Sequence, residues 1–520
     1  MAATHHDSYP YTRLLITLGV IAVAYVGSLL LGWPQEGTAM IAAPVGHSAS
    51  PIGDLADVAA PPLWMVLPFV LLLCSIAIFP LTPKVSHWWE SNLHKFYIAA
   101  VLSVLTLLYY LLVHSSPVYA DWPIKHVTSH SSAGPSFAVT YEVFANAMFA
   151  AYVPFIVLLF SLYTISGGIR LEGDLRAHPA TNTAFLALGS VLASVIGTTG
   201  AAMLLIRPLL TTNSERKHVA HTVVFFIFLV CNCGGCLLPT GDPPLFLGYL
   251  MGVPFLWTLG LWKPWLFIVG CLLVIYFLWD AFVCYPREAM PDIVRDESEV
   301  RPLRISGLWP NGLLLGLVIA SVGLLDPSKP VIGTGWHPWL YLREFVQLIL
   351  VGASLLLGKR ETRQANNFTF GAIIEVAVLF FGIFVCMQPP LQVLNVHGPS
   401  LGLLAPWQYF WASGGLSSFL DNAPTYVVFF ETAKSVTASN PQMFGPTVAA
   451  TGVYVQFLIA VSLGSVFMGA NTYIGNGPNF MVKTIAESSH VKMPGFFGYM
   501  LYSGVILIPL FAATTYLFLR

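Results

Sequence analysis

The stretch LPTGDPPLFL at 238–247 has a counterpart late in the chain, TYIGNGPNFM at 472–481. The alignment places Gly241 on Gly475 and Asp242 on Asn476. Each stretch interrupts an apolar segment with glycine, proline and polar residues, which are the residue types that break helices.

A second matched pair precedes the first. Residues 189–205, with the tip Gly197-Thr198-Thr199-Gly200, align with 413–429, with the tip Asp421-Asn422-Ala423-Pro424. In a membrane protein, polar breaks at corresponding places of two apolar halves are typical of transporters built from repeats. In such proteins the substrate site lies at the breaks.

Composition indicates a membrane protein. The 520 residues are 56% hydrophobic and 9% charged, whereas soluble domains have about 25% charged residues. The near-neutral net charge gives no electrostatic sign of a nucleic-acid surface, so we expect no DNA or RNA partner. We expect an all-α polytopic membrane protein of a bacterial inner membrane, whose partners are the lipid bilayer and a small ion or molecule.

A helix needs about 20 apolar residues to cross a bilayer. On that measure the sequence predicts about 11 transmembrane helices plus two re-entrant hairpins. The full spans are expected near 13–32, 63–80, 96–113, 140–165, 264–284, 308–325, 339–357, 370–388 and 497–518. Two interrupted spans are expected near 219–251 and 446–487, and the hairpins at 183–210 and 406–434.

The Lys and Arg residues are unevenly distributed along this topology. With the N-terminus in the cytoplasm and the C-terminus outside, 16 of the 23 fall on cytoplasmic segments. Arg170 and Arg176 precede the first hairpin and Arg216 and Lys217 follow it, so both of its ends are expected on the cytoplasmic side. The four expected outside are Lys125, Lys263, Lys329 and Lys434.

In this orientation, equivalent spans of the two halves run in opposite directions, which is an inverted repeat. The expected units are N-terminal scaffold helices at 1–135, a first repeat at 136–285, a cytoplasmic linker at 286–306, further scaffold helices at 307–368 and a second repeat at 369–520.

The two aspartates at the breaks are the main candidates for ion binding. A carboxylate at a helix centre in a membrane costs about 2.5–3.5 kcal/mol on insertion scales, so Asp421 is a functional candidate by default. The alternative role is N-capping of the helix that resumes at Thr425, by Asp421 or Asn422, and Asp242 has the same two roles open. Together the aspartates form a candidate Na⁺ site that could exchange Na⁺ against protons.

Neutral polar residues cluster at the same matched breaks. Each one alone is well explained by a turn that satisfies its own backbone, but their clustering predicts a binding site. Besides the aspartates, its candidate residues are Gly197, Thr198, Thr199, Asn232, Thr240, Asn422, Thr425, Asn471, Thr472 and Asn476. Glu375 and Glu142, inside predicted spans, are candidate proton relays, with a structural hydrogen bond as the alternative.

The cysteines predict neither disulfides nor a resident metal. All seven lie in or beside apolar segments, and the group Cys231, Cys233 and Cys236 fits close packing of small side chains better than metal ligation. The sequence carries no P-loop, dinucleotide or nucleophile-elbow motif. We therefore expect no cofactor and no enzyme activity, only transported Na⁺ and H⁺.

At these residues the chain resembles the ion transporter superfamily, which includes NhaD-type sodium/proton antiporters, arsenite permeases and citrate or dicarboxylate transporters. The resemblance is carried by VIGTTGAAMLLIRPLL (195–210), SSFLDNAPTYVVFFE (417–431) and GANTYIGNGPNFMVK (469–483), the last two closest to NhaD-like and citrate-transport members. It implies an elevator-like motion of hairpins and broken helices against a scaffold, often in homodimers. The Ser-Asn-Thr motifs of sodium/dicarboxylate members are replaced here by Gly197-Thr198-Thr199 and Asp421-Asn422-Ala423, which weakens a dicarboxylate assignment.

Three functions follow from these features. The first is a secondary Na⁺/H⁺ antiporter in which Asp421 and Asp242 alternate between ion and proton. The second is a Na⁺- or H⁺-coupled transporter of citrate or another anion, which uses the tip amides and Arg207. The third is a membrane-embedded enzyme or a subunit without transport, because a repeat fold does not dictate activity.

Overall fold

The structure is a computed structural model that describes residues 9–42, 60–120, 122–123, 126–128, 134–298, 300–331, 333–448 and 451–520. Lys125, expected on the outer side, lies outside these ranges, as does part of the expected scaffold segment 1–135.

Long apolar helices dominate the described part of the chain. Six are long and apolar enough to cross a membrane: Tyr11–Leu30, Asn92–Leu112, Phe137–Ser166, Pro179–Ile196, Trp257–Arg287 and Phe496–Phe518. A bent pair, Gly371–Cys386 and Gln388–Leu401, makes a seventh crossing if its two helices form one span. These helices agree with an integral membrane protein, whereas the count of 11 spans stays a prediction.

The remaining helices are shorter. They are Trp33–Ala42, Leu67–Ile78, Ser86–Trp89, Thr198–Thr212, Ala220–Leu229, Pro243–Leu250, Met290–Ser298, Leu308–Leu324, Leu342–Leu357, Arg360–Ala365, Pro406–Ser417, Asn422–Ser439, Val455–Met468 and Gly477–Ser488. Two of the long helices contain π-helical segments, Asn146–Tyr152 and Asp280–Cys284.

The first hairpin consists of the helices Pro179–Ile196 and Thr198–Thr212, joined at the single residue Gly197. Gly197 has φ +86°, a conformation that residues with a Cβ atom rarely adopt. The hairpin extends beyond the predicted bounds 183–210 because the polar Asn182 is buried inside it, where its side-chain amide pairs with that of Asn213 at 2.8 Å. Its first arm is long enough to cross a membrane by itself, so re-entry stays a prediction.

The second hairpin consists of the helices Pro406–Ser417 and Asn422–Ser439. It begins at the predicted residue and extends five residues beyond the predicted end at 434. The four residues between its arms include Asp421, whose backbone is extended and ends the turn.

Each broken helix has two helical halves separated by irregular backbone. The first comprises Ala220–Leu229 and Pro243–Leu250, with a 3₁₀ turn at Cys233–Cys236 between them. The second comprises Val455–Met468 and Gly477–Ser488, with a 3₁₀ turn at Gly469–Asn471. The second helix starts later than the predicted 446 because the preceding residues turn back on themselves, with Thr447 bridged to Tyr454.

Two short antiparallel ribbons accompany the helices. One pairs Val118–Ala120 with His126–Thr128. The other pairs Arg170–Asp174, just before the first hairpin, with Arg301–Ser306 at the end of the predicted linker 286–306. The second ribbon therefore fixes the linker against the entrance of the first hairpin, and we call it the linker ribbon.

Candidate functional site

The tips of both hairpins and the breaks of both broken helices surround one cavity of about 100 Å³. Its polar lining comes from the tips and breaks: Gly197, Thr198, Thr199, Gly200, Thr240, Gly241, Asp242, Asp421, Asn476 and Gly477. Its apolar lining comes largely from the helices Val153–Ser166 and Gly371–Cys386, through Leu158, Leu162, Tyr163, Ile373, Val376 and Phe380. The four interrupted segments singled out in the sequence thus converge.

The carboxylate of Asp242 is the centre of this site, and its residue is only 1% exposed. Oδ1 accepts hydrogen bonds from Thr198 Oγ1 at 2.9 Å and from Asn476 Nδ2 at 3.2 Å. Oδ2 accepts a hydrogen bond from Asn422 Nδ2 at 2.5 Å. One residue from each hairpin and one from the other broken helix therefore bind the same side chain.

These contacts reproduce the internal alignment of the sequence. Thr198 aligns with Asn422 at the hairpin tips, and Asp242 aligns with Asn476 at the breaks. All four positions meet at one carboxylate, so residues that are equivalent in the two halves lie close together in space.

Asp242 has no cationic partner. Among the residues that the structure describes, no Lys, Arg or His forms an ion pair with it. An unpaired buried carboxylate is strongly unfavourable, so it must carry a proton or hold a bound cation. The adjoining amide favours a cation: within the described ranges, Asn422 Oδ1 is buried and accepts no hydrogen bond, although its Nδ2 contacts Asp242. Carboxylate and amide oxygens are the ligands that hard cations prefer.

Asp421 lies at the edge of the cavity and is partly exposed. Its Oδ1 accepts a hydrogen bond from the backbone N–H of Ala423 at 3.1 Å, which makes it the N-cap of the helix Asn422–Ser439. The capping role considered for Asp421 is thus present, and the same carboxylate also lines the cavity.

The cavity is also surrounded by helix N-termini. Four helices begin at its edge, at Thr198, Pro243, Asn422 and Gly477. The partial positive charge of a helix N-terminus favours a bound anion. The helix at Pro243 contributes no N–H group there, because its first two residues are prolines. One site therefore combines a carboxylate that needs a cation with helix ends whose partial positive charge favours an anion.

Several predicted site residues support the tips from behind the cavity. Asn232 Nδ2 donates to Asn479 Oδ1 at 2.8 Å, Asn471 Nδ2 donates to Ser418 Oγ at 2.9 Å, and Thr472 Oγ1 donates to the carbonyl of Ser418. Two threonines bind backbone carbonyls in the same region: Thr425 Oγ1 donates to Asp421 O, and Thr240 Oγ1 donates to Val195 O. Of these, only Thr240 lines the cavity.

Sequence reasoning missed the serines that join each hairpin to its broken helix. Ser194 Oγ donates to the carbonyl of Gly234 at 2.5 Å, and Ser418 Oγ donates to that of Met468 at 3.2 Å. The sequence does contain a signal for these serines, because the alignment that pairs the two hairpins also places Ser194 on Ser418. Asn479, which donates to the carbonyls of Gly469 and Thr472, was also missed.

The other candidates lie away from the cavity. Glu375 forms an ion pair with Lys95 at 2.7 Å, and Glu142 lies 3.4 Å from His126. Their role as proton relays stays a prediction, since neither lines the cavity. Arg207, considered for anion binding, lines a different cleft. All seven cysteines are free thiols in the structure.

Glycines let two backbone segments approach closely at each break, so we expect their replacement to be destabilising. A methyl group on Gly241 would lie 2.3 Å from the carbonyl oxygen of Gly235, and one on Gly475 would lie 2.5 Å from that of Gly469. We expect Gly241→Ala and Gly475→Ala each to lower the free energy of unfolding by about 1–3 kcal/mol or more, because the backbone must move apart. Denaturation in detergent micelles measures this. Gly477→Ala is the matched control, since its methyl group would meet no atom within 4 Å, and equal losses in all three variants would contradict the explanation.

Comparison with known proteins adds one finding. Residues 58–519 match the sequence profile of a family described as "Putative citrate transport". No curated protein matches the chain. The match covers most of the 520 residues, and the chain belongs to this citrate transport family.

Proposed function

We propose that the protein is a secondary transporter that couples the movement of citrate or a related carboxylate to Na⁺ or H⁺. The coupling ion binds at Asp242 with the amide oxygen of Asn422. The carboxylate substrate binds at the helix N-termini that begin at Thr198 and Gly477, which line the cavity. The observation that carries this proposal is the buried Asp242 carboxylate, which has no cationic partner in the described part of the chain and lies beside helix ends that attract anions.

The two ligands assist each other in this arrangement. A cation at Asp242 neutralises the only fully buried carboxylate that lines the cavity, and this removes its repulsion toward a negatively charged substrate. Coupling follows because the substrate then binds well only when the ion is present.

The proposed motion is a displacement of the hairpins and broken helices against the helices Val153–Ser166 and Gly371–Cys386. The contacts across this boundary are apolar, as in the stacked rings of Phe155 and Phe246, 6.5 Å apart. Apolar side chains can slide past one another without breaking hydrogen bonds, which suits a shear or elevator-like movement.

Proteoliposomes test the proposal. Purified protein is expected to accumulate labelled citrate when an inward Na⁺ gradient or a pH gradient is imposed, and liposomes without protein give the baseline. Absence of uptake under both gradients, with the protein correctly inserted, would contradict coupled citrate transport.

Asp421→Asn separates capping from ion binding in the same assay. Asparagine caps helices as well as aspartate does, so the fold is retained while the charge is lost. A wild-type uptake rate would assign Asp421 to capping alone. A reduced rate at unchanged melting temperature would assign it to the coupling step.

Na⁺/H⁺ antiport is the second candidate function. It is favoured by the charged residues that line the cavity, which are two aspartates without any lysine or arginine. Under this function, added Na⁺ or Li⁺ dissipates a pH gradient in proteoliposomes when no citrate is present. Dissipation that requires citrate would support the first candidate.

A further inference from the structure

A second cavity, of about 490 Å³, lies between the first hairpin and the linker ribbon. Its walls carry four arginines, Arg170, Arg207, Arg301 and Arg304, and one acidic residue, Glu172. Arg207 comes from the second arm of the hairpin, and the other three come from the two strands of the ribbon. We call this cavity the arginine cleft. It shares no lining residue with the cavity at Asp242.

Most of the positive charge in the arginine cleft is unpaired. Arg170 is bound by Glu172 at 2.7 Å. Across the described ranges, the side chains of Arg207, Arg301 and Arg304 form neither an ion pair nor a hydrogen bond. The Nε atom of Arg207 is buried and has no partner, so a hydrogen-bond donor is left unsatisfied inside the cleft.

We propose that the arginine cleft binds a phosphate group. A guanidinium presents a planar fork of donors that matches phosphate oxygens, and several converging arginines suit a multiply charged anion. Three unpaired arginines from two separate elements of the chain provide this arrangement, and the bound phosphate satisfies Arg207 Nε.

Such a ligand would act on the first hairpin. Arg207 lies nine residues after Thr198 on the helix Thr198–Thr212, so it is about 13 Å along the helix from the residue that binds Asp242. A phosphate group in the cleft would tie this helix to the linker ribbon and hold the hairpin in one position. The inference is independent of the transported substrate.

The experiment measures binding of inorganic pyrophosphate to the full-length protein in detergent by isothermal titration calorimetry at low salt. We expect saturable binding that weakens as salt is raised. In the double variant Arg301→Gln/Arg304→Gln, affinity should fall about tenfold or more, because two charged hydrogen-bonding groups are lost. Both side chains are exposed, so this variant is expected to fold. Arg207→Gln is the second variant and should weaken binding similarly.

Arg295→Gln is the matched control, because Arg295 is exposed on the nearby helix Met290–Ser298 and does not line the cleft. It should leave the affinity unchanged. A second arm compares melting temperatures in nanodiscs of phosphatidylglycerol and of phosphatidylcholine. Binding of pyrophosphate assigns a soluble phosphate ligand, whereas stabilisation by phosphatidylglycerol alone, lost in the double variant, assigns a lipid headgroup. The proposal is overturned if neither arm responds, or if Arg295→Gln weakens binding as much as the cleft variants do.

Discussion

Asp242→Asn is expected to abolish ion-coupled citrate uptake, with a loss of about 100-fold or more in rate. Replacing a group that merely orients an ion ligand typically costs 10–100-fold, and here the charged ligand itself is removed. The wild-type carboxylate is buried and unpaired, so the bound ion depends on its charge more than on any other atom in the site. Uptake of labelled citrate in proteoliposomes measures the effect.

The substitution should leave the fold intact. The new amide places a donor where Asp242 now accepts a hydrogen bond from Asn422 Nδ2. The side-chain amide of Asn422 can rotate by 180° so that its Oδ1 accepts from the new amide, because Oδ1 accepts no hydrogen bond from the described residues in the wild type. The hydrogen bond is then restored with its direction reversed, so a loss of uptake reports the missing charge.

Two controls make this result decisive. Asp326→Asn changes a carboxylate outside the cavity, which is bound to Ser328 Oγ at 2.6 Å, and should leave uptake unchanged. Na⁺ should raise the melting temperature of the wild type, since a ligand that binds only the folded state stabilises it. The same addition should have no effect on Asp242→Asn. Sodium-dependent uptake at the wild-type rate in Asp242→Asn would contradict the assignment of the ion site.

The convergence of the breaks was predictable because the two halves carry the same pattern. The alignment of Asp242 with Asn476 and of Thr198 with Asn422 named four residues that meet in the structure. Glycine and proline mark where a helix cannot continue, so the positions of both breaks could also be predicted.

Individual side-chain pairs were not predictable when their two residues are distant in sequence and have no counterpart in the internal alignment. Lys95 and Glu375, 280 positions apart, form an ion pair, and neither residue alone indicates the other. The predicted hairpin begins at 183, whereas the preceding Asn182 is buried in it, because Asn213 pairs with its side-chain amide. The internal alignment predicts contacts between equivalent positions of the two halves, but not pairs of residues that occur in one half only or outside the repeats.

The network around Asp280 is another such contact, and no pattern in the sequence predicts it. Arg216 Nη1 donates to Asp280 Oδ2 at 3.0 Å and Nη2 donates to Oδ1 at 2.5 Å, while His221 Nε2 lies 3.1 Å from Oδ1. Arg216 Nη1 also donates to the carbonyl of Ala177, just before the first hairpin. The network therefore joins both ends of this hairpin to the helix Trp257–Arg287. Cys284 lies near enough to complete a metal-binding set, but both oxygens of Asp280 are already bound by Arg216.

Asp280→Ala is expected to lower the free energy of unfolding by about 3–5 kcal/mol. The buried Arg216 loses both hydrogen bonds to Asp280 and, of its ion pairs among the described residues, keeps only the longer one of its Nε with Glu288, at 3.6 Å. Denaturation in mixed micelles measures the loss. Glu487→Ala, which removes the more exposed pair Lys483–Glu487, is the control and should cost about 0–1 kcal/mol. Should Asp280→Ala not accumulate, Asp280→Asn provides a milder variant, since its amide oxygen still accepts one hydrogen bond from Arg216. If Asp280→Ala is no less stable than Glu487→Ala, the network does not hold the hairpin ends.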